Sequence, residues 1–405
     1  MSSQSFADLG VSNPVVAALS ARGFQSPFAV QKLVVAAVLA GRDVLAQSPT
    51  GSGKTLAFGI PIADLVPAEA RRPAALILAP TRELAGQIVD EVEAVANARA
   101  LSVAVVHGGV GLQRQAKLAA RSHIVVATPG RLEDLLQRGD LTLKHIRVLV
   151  LDEADRMLDM GFKPAVDRIV AKCPSERQTL FFSATLEGAA GQVAKAYTRE
   201  AVKHVHKPTQ ERRSDVEHRF VHVTHDRKLG ALMSELRESD RGRTLVFVRT
   251  KRGADRLVKR LGAHDLPAVA MHGNKTQAQR QKALARFERG DVDTLVATDV
   301  AARGIDVAEI THVINFDAPE DRDTYVHRVG RTARAGATGA GVSFVMAEQA
   351  HDMRHIAAAL GLSTEFEQGN GRTRQEPDHG HAGARSGDGG HSRRRGRRRP
   401  SRAGR

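Results

Sequence analysis

The chain has 405 residues, of which 42% are apolar, with a single cysteine and a net charge of +15. This length predicts two to three domains, each able to bury a core. No apolar run approaches the roughly 18 residues of a membrane span, and the first ten residues lack a basic-then-apolar leader pattern. One cysteine, Cys173, excludes an internal disulfide and favours a reducing, cytoplasmic setting, with Cys173 itself structural. The charge is uneven: residues 371–405 hold 11 Arg against Glu376, Asp378 and Asp388, a balance of +8, and the other residues carry +7. Such a basic balance points to nucleic acid or an anionic membrane.

Taken in order, Asn13-Pro14 predicts a helix start, with Asn13 as the cap and Gly23 as the stop. A second helix is expected from Gln31 to Ala40, ending at Gly41. Strands and helices then alternate. Asp43 to Gln47 reads as a strand, followed by a Gly-rich loop and a helix. Further short apolar runs lie at Ala74 to Ala79, Val103 to Val106, Ile124 to Ala127, Val148 to Leu151 and Thr179 to Phe182, with helical spacing between them, as at Glu83 to Ala98. That alternation predicts βαβ units around a parallel sheet. It pauses in a polar, Pro-containing stretch, 207–215, which reads as a linker. It resumes with strands at Phe220 to Val223, Thr244 to Val248, Val269 to Met271, Thr294 to Ala297, His312 to Ile314 and Val342 to Val345, and helices at Lys251 to Leu261 and Gln277 to Arg289. The expected architecture is α/β, two tandem parallel-sheet domains at 1–206 and 216–363, then a disordered basic tail at 364–405 that is too poor in apolar residues to fold.

Two stretches carry chemistry on their own residues. Ser48-Pro49-Thr50-Gly51-Ser52-Gly53-Lys54-Thr55 lies between a strand and a helix, where a phosphate-binding loop belongs. Its glycines let backbone N–H groups face phosphate oxygens, Lys54 reaches the β- and γ-phosphates, and Thr55 can hold Mg²⁺. Ser48 stands where the strict pattern has Gly. The second stretch is Val148-Leu149-Val150-Leu151-Asp152-Glu153-Ala154-Asp155. Its apolar run delivers two adjacent carboxylates to the carboxyl end of a buried parallel strand, where ligands bind in open α/β sheets. An acid there holds Mg²⁺ beside a nucleotide, although a strand-end acidic pair alone also suits a helix cap.

With these two stretches in order, the chain resembles a DEAD-box ATP-dependent RNA helicase of bacterial type, a superfamily 2 enzyme with tandem RecA-like domains. The resemblance covers about Phe6 to Leu362, with Asp152-Glu153-Ala154-Asp155 as the name-giving motif. It implies further residues. Phe6 and Gly23-Phe24-Gln25-Ser26-Pro27-Phe28-Ala29-Val30-Gln31 resemble the adenine-reading motif at about 4–32: the Gln31 amide can donate and accept at an adenine edge, and Phe6 can stack on the base or belong to the core. Phe28-Ala29 replaces the family's usual Thr-Pro. Pro80-Thr81-Arg82, Gly108-Gly109 and Thr128-Pro129-Gly130-Arg131 match RNA-contacting motifs that offer hydroxyls, guanidinium groups and helix N-termini to phosphates; Thr81 also fits a helix cap. Ser183-Ala184-Thr185 resembles the motif coupling nucleotide state to RNA, with Asp155. In the second half, Arg249, Gln277 with Arg280, and Thr298 match RNA motifs, and Gly304 and Asp306 a ribose-binding one. His327-Arg328-Val329-Gly330-Arg331-Thr332-Ala333-Arg334 supplies coupling residues, His327 and Arg328, and two arginines, Arg331 and Arg334, for the γ-phosphate. Ala333 replaces a frequent Gly.

The resemblance implies that ATP and Mg²⁺ are the cofactors and RNA the partner, held through its backbone with little sequence preference. Asp152, Lys54 and Thr55 hold metal and phosphate, Glu153 activates water, and Arg331 and Arg334 arrive on domain closure. Closure would locally unwind or remodel RNA. The rival readings are an ATP-gated RNA clamp or chaperone without productive unwinding, and a DNA-translocating ATPase of the same two-domain architecture, which RNA and DNA compared as ATPase stimulators would separate. The Arg-rich end is expected to add non-specific RNA binding.

Overall fold

The short apolar runs of the first half become strands of one parallel sheet: β1 (Val44–Gln47), β2 (Ala75–Leu78), β3 (Val103–Val106), β4 (Ile124–Ala127), β5 (Val148–Leu151), β6 (Gln178–Ser183) and β7 (Val202–Val205). The computed structural model describes residues 4–48, 52–186, 188–205, 216–238, 242–302, 307, 309–333 and 338–372. The strand order is β3-β4-β2-β5-β6-β1-β7. Every residue of β2, β4 and β5 is buried, as expected of parallel strands covered on both faces. Alternate side chains feed two cores. Ile77 and Val150 join Phe58, Ile62, Ile88 and Val92 from the helices Lys54–Leu65 and Arg82–Asn97. Leu76 and Leu149 meet Leu132, Met157 and Ile169 on the opposite side. Phe58 and Phe182 pack edge to face at 5.3 Å, binding the helix after the Gly-rich loop to β6.

The second half repeats the scheme with β8 (Val216–His222), β9 (Arg243–Phe247), β10 (Ala268–Met271), β11 (Thr294–Ala297), β12 (Ile310–Asn315) and β13 (Gly339–Val345), in the order β10-β11-β9-β12-β13-β8. Both sheets are parallel at every pairing, for example Val150 with Leu180 and Leu245 with Val313. Chain reversal through helices therefore sends all strand carboxyl ends, and the loops after them, to one side of each sheet.

Four expectations are corrected. The first helix spans Asn13–Ala21 with Ser12, not Asn13, at its cap. Ser12 is pinned from outside the helix, because both its N–H and its hydroxyl donate to the Asp64 carboxylate. A seventh strand, β7, was invisible as an apolar run because the polar Lys203 and His204 interrupt it; its alternate residues Lys203 and Val205 face outward at a sheet edge. Strand β8 begins at Val216 rather than Phe220 and pairs with all of Gly339 to Val345, so its polar first residues are strand although they form no apolar run. Finally, the polar tail does not begin at 364. Ser363–Arg372 is helical, and Phe366, 1% exposed, packs on Phe220 with ring centroids 5.3 Å apart. Composition averaged over the tail hides this single aromatic anchor. The linker at 207–215 and residues 373–405 lie outside the described residues.

Candidate active site

Strands β1 and β5 flank β6, and the loops leaving their carboxyl ends converge. Ser48 N–H donates to Ser183 O at 3.0 Å, setting the start of the Gly-rich loop against the end of β6. The Ser48 hydroxyl lies 2.6 Å from the Ser52 hydroxyl, and the Ser48 carbonyl accepts from Lys54 Nζ at 3.4 Å. The residue that departs from the strict loop pattern thus fastens the loop to itself. Gly53 has φ +85° and a Cβ there would come within 2.8 Å of the Phe28 ring and 2.9 Å of Gln31 Nε2, so the position takes glycine alone. Lys54 opens the helix, is buried, and places Nζ 3.9 Å from Asp152 Oδ1. Thr55 follows it on the first turn. Pro49, Thr50 and Gly51 lie outside the described residues.

Asp152 and Glu153 sit at the end of β5, 2% and 3% exposed. Glu153 adopts the left-handed conformation, φ 50° and ψ 50°, which costs a non-glycine residue of order 1–3 kcal/mol. That turn starts the helix Ala154–Asp159 and lets the Glu153 N–H donate to Asp152 Oδ1 at 3.0 Å. Burial pushes the Asp152 carboxyl up to about 6; Lys54 opposes the shift and Glu153 adds to it. Burial likewise raises Asp155. Asp155 Oδ2 accepts from Ala184 N–H at 3.1 Å, a direct bond between the acidic turn and Ser183-Ala184-Thr185; Ser183 is fully buried.

Two expected base-reading residues are placed otherwise. Phe6 is 2% exposed in a small core with Leu9, Val15, Leu56 and Ile60, so its ring presents no open face to a base. Gln31, 1% exposed, accepts from Phe28 N–H at 2.8 Å and donates to Gly53 O at 3.1 Å. Its amide is a brace between the helix Ala29–Leu39 and the phosphate loop.

The expected RNA-contacting residues split into two groups. Thr81, Gly108-Gly109 and Thr128 follow β2, β3 and β4 on one side of the sheet. Thr81 caps the helix Arg82–Asn97 by accepting from Leu84 N–H at 3.2 Å, and Thr128 precedes the helix Pro129–Gln137. Pro80 is buried beside Thr81. The Arg82 guanidinium lies over the two glycines, where a Cβ would come within 2.7 and 2.6 Å of it. Arg131 is held by Val110 O at 2.9 Å and Gln115 Oε1 at 3.3 Å. Gln277 and Arg280, by contrast, reach across to the first domain. Arg280 Nη2 lies 2.8 Å from Glu83 Oε2, and Gln277 Nε2 is 3.4 Å from Glu83 Oε1. Glu83, absent from the sequence-based set, is thereby an interdomain contact. Arg249 is half exposed, and its N–H donates to Asp317 Oδ2 at 2.8 Å. The Thr298 carbonyl accepts from Ala301 and Ala302 N–H and starts the helix Asp299–Ala302.

On the helix Arg322–Val329, Arg328 is committed to structure. It clamps Asp299 with two bonds of 2.6 and 2.7 Å, reaches Asn315 Oδ1 and Asp317 O, and lies 5.1 Å over the Phe247 ring. The His327 carbonyl accepts from Arg331 Nε at 3.2 Å. Arg331 is 2% exposed and lines a cavity of about 20 Å³ shared with Asp299, His327, Arg328 and Arg156 of the first domain. Gly304, Asp306 and Arg334 lie outside the described residues. Arg156 and Asp299 were both missed as site residues, although each directly follows a residue that was named.

This geometry joins a phosphate loop, a buried acidic turn and arginines delivered by a second domain. Two family models match the chain: DEAD/DEAH box helicase over residues 28–193 and helicase conserved C-terminal domain over 227–336. The DEAD-box ATP-dependent RNA helicase CshA of Geobacillus kaustophilus is 39% identical over 352 residues, 87% of this chain and 75% of that protein. The ATP-dependent RNA helicase CshA of Limosilactobacillus reuteri is 40% identical over 342 residues, 84% of this chain and 69% of its own. Among solved structures, S. cerevisiae Dbp5 bound to RNA and ADP BeF3 superposes with a TM-score of 0.82 at 29% identity, covering 89% of this chain and 94% of that one. Mss116p bound to ssRNA and AMP-PNP gives 0.79 at 28%, covering 88% and 78%. The chain belongs to the DEAD/DEAH box helicase family.

Proposed function

We propose that the protein is an ATP-dependent RNA helicase that hydrolyses ATP when its two domains close on RNA and that remodels short duplexes in doing so. The observation that carries the reading is the burial of Arg331, from the second domain, in a cavity shared with Arg156, three residues from Glu153. Hydrolysis assembled this way depends on closure, and RNA that binds the closed form better drives it. In this reading Lys54 holds phosphate oxygens, Glu153 orients the attacking water and takes its proton, and Arg331 offsets charge developing on the transferred phosphoryl group. Arg334 joins it as a second cation.

The donor set suits Mg²⁺. Asp152 and Thr55 offer hard oxygen ligands beside Lys54, and among the described residues no three His, Cys, Asp or Glu side chains converge on a common point. A cation taking one carboxylate, phosphate and water fits such a site. When bound, it neutralises charge on the β- and γ-phosphates. The RNA track comprises Thr81, Arg82, Gly108, Gly109, Thr128 and Arg131 on the first domain and Arg249 and Thr298 on the second. It contacts phosphate and sugar and so carries little sequence preference.

Arg331→Ala tests the reading. By analogy with arginine fingers, turnover should fall on the order of 10³-fold, with ATP affinity little changed. Full RNA-stimulated turnover in that variant would overturn it. Multiple-turnover strand displacement separates helicase from clamp: ATP-dependent RNA holding without displacement would replace remodelling by an ATP-gated clamp.

A further inference from the structure

We propose that Arg156 is the positioning residue through which Glu153 senses domain closure; this rests on the role given to Glu153 above. Arg156 lies on the turn that the left-handed Glu153 begins. Its N–H donates to Glu153 O at 3.0 Å and to Asp155 Oδ1 at 3.1 Å. Its Nε lies 3.6 Å from Glu153 Oε2, and the two side chains are only 5% and 4% exposed. The guanidinium therefore bears on the carboxylate from the side and fixes its rotamer.

The far side of the same guanidinium faces the second domain. Arg156 lines the cavity of about 20 Å³ with Asp299, His327, Arg328 and Arg331, and its Nη2 is buried with no hydrogen-bond partner among the described residues. A buried, incompletely bonded cation is costly unless it is compensated. Compensation must come from the second domain's polar groups: the Asp299 carboxylate, which already takes two donors from Arg328, directly or through the single water that a polar cavity of this size accepts. With the domains apart, Arg156 regains solvent and the restraint on Glu153 relaxes. Closure thus places the base as well as Arg331, so both halves of the hydrolytic machinery depend on the same motion.

The test is RNA-stimulated ATPase of the full chain carrying Arg156→Ala or Arg156→Lys, each also in a Glu153→Gln background. Arg156→Ala should lower kcat at least about tenfold while KM for ATP and RNA affinity stay within about twofold, and Arg156→Lys should restore part of the loss. In the Glu153→Gln background, Arg156→Ala should change residual turnover less than about twofold, because residues acting as one unit are non-additive. An unchanged kcat, a KM rising in step with the loss, or a loss that multiplies in the Glu153→Gln background overturns the proposal. Should Arg156→Ala fail to fold, the Lys variant alone decides: a partial loss of kcat at unchanged ATP affinity supports the proposal, and wild-type turnover or a loss of ATP affinity overturns it. Normal turnover in Glu153→Gln alone would sink the role of Glu153 itself, an outcome distinct from failure of the Arg156 arm.

Discussion

Ala333 occupies a left-handed backbone position, φ 52°, two residues after Arg331. The family's frequent glycine at this point has a physical reason: a Cβ costs about 1–2 kcal/mol in that conformation. Glycine gives back part of this through its freer unfolded chain. Ala333→Gly should therefore stabilise the protein slightly, by about 0.5–1 kcal/mol, in thermal or urea unfolding; destabilisation would mean that the Ala333 methyl packs usefully. Asp152 supplies a pH prediction. Its carboxyl is raised from 3.8 to about 6. The unliganded protein thus carries no ionisation cost below pH 3.8, acquires it as pH rises from there to about 6, and bears roughly 3 kcal/mol at neutral pH. A bound cation offsets that cost and needs the ionised form. Stabilisation by Mg²⁺ and ATP should be full above pH 7 and fall up to about tenfold in affinity per unit below about 6. Asp152→Asn should abolish this dependence, as followed by nucleotide titration against pH; an unchanged pH profile in that variant would assign it to another group.

At the scale of elements, the helix Ser363–Arg372 is more than a terminal appendage. Phe366 touches Phe220 and His222, each at 5.3 Å, and Gly369 lies so close to β8 that a Cβ would fall 1.9 Å from Phe220 O. The helix covers β8, the outermost strand of its sheet, whose exposed edge would otherwise invite pairing with other chains. Phe366→Ala should destabilise the second domain by about 3–5 kcal/mol and leave nucleotide binding by the first domain intact. Differential scanning calorimetry together with nucleotide titration checks this; a melting profile like that of the wild type would show the helix to be dispensable. The Ala29–Leu39 helix acts on the other domain in a comparable way, since Gln31 bonds Phe28 at its start to Gly53 of the loop.

Across the whole molecule, the two domains meet at Glu83, whose carboxylate takes Arg280 at 2.8 Å and Gln277 at 3.4 Å. Glu83 is 5% exposed in its side chain, and removing its partner strands a buried charge in the closed form alone. Arg280→Ala should hence lower RNA-stimulated turnover by about tenfold or more while ATP binding to the first domain persists. Equal losses in both would show that Glu83 and Arg280 hold the first domain together instead of the closed state. The basic end acts at the same scale through its charge. If about five of its arginines meet phosphates, the slope of log affinity against log salt steepens by roughly 3.5 on single strands. Deleting 373–405 should flatten that slope and raise the RNA concentration for half-maximal ATPase, without changing the maximal rate. Unchanged affinity at low salt would remove the end from RNA binding.

Local patterns settled much of this protein. Apolar runs such as Val148 to Leu151, spaced by helical stretches, specify parallel strands because burial on both faces needs no partner-specific information. Glycines and charges at strand ends mark Lys54, Asp152 and Glu153 for the same reason: their chemistry depends on the strand that delivers them. Residues whose neighbours lie far along the chain were decided only by folding. Phe6 joined a core, Gln31 spent its amide on Phe28 and Gly53, and Gln277 and Arg280 turned to Glu83. The side chains themselves are able to bind a base or a phosphate. Which group each meets depends on packing and on the approach of two domains, and neither is encoded within a few residues of the position. The same holds for Arg156, whose place between Glu153 and the second domain exists only in three dimensions.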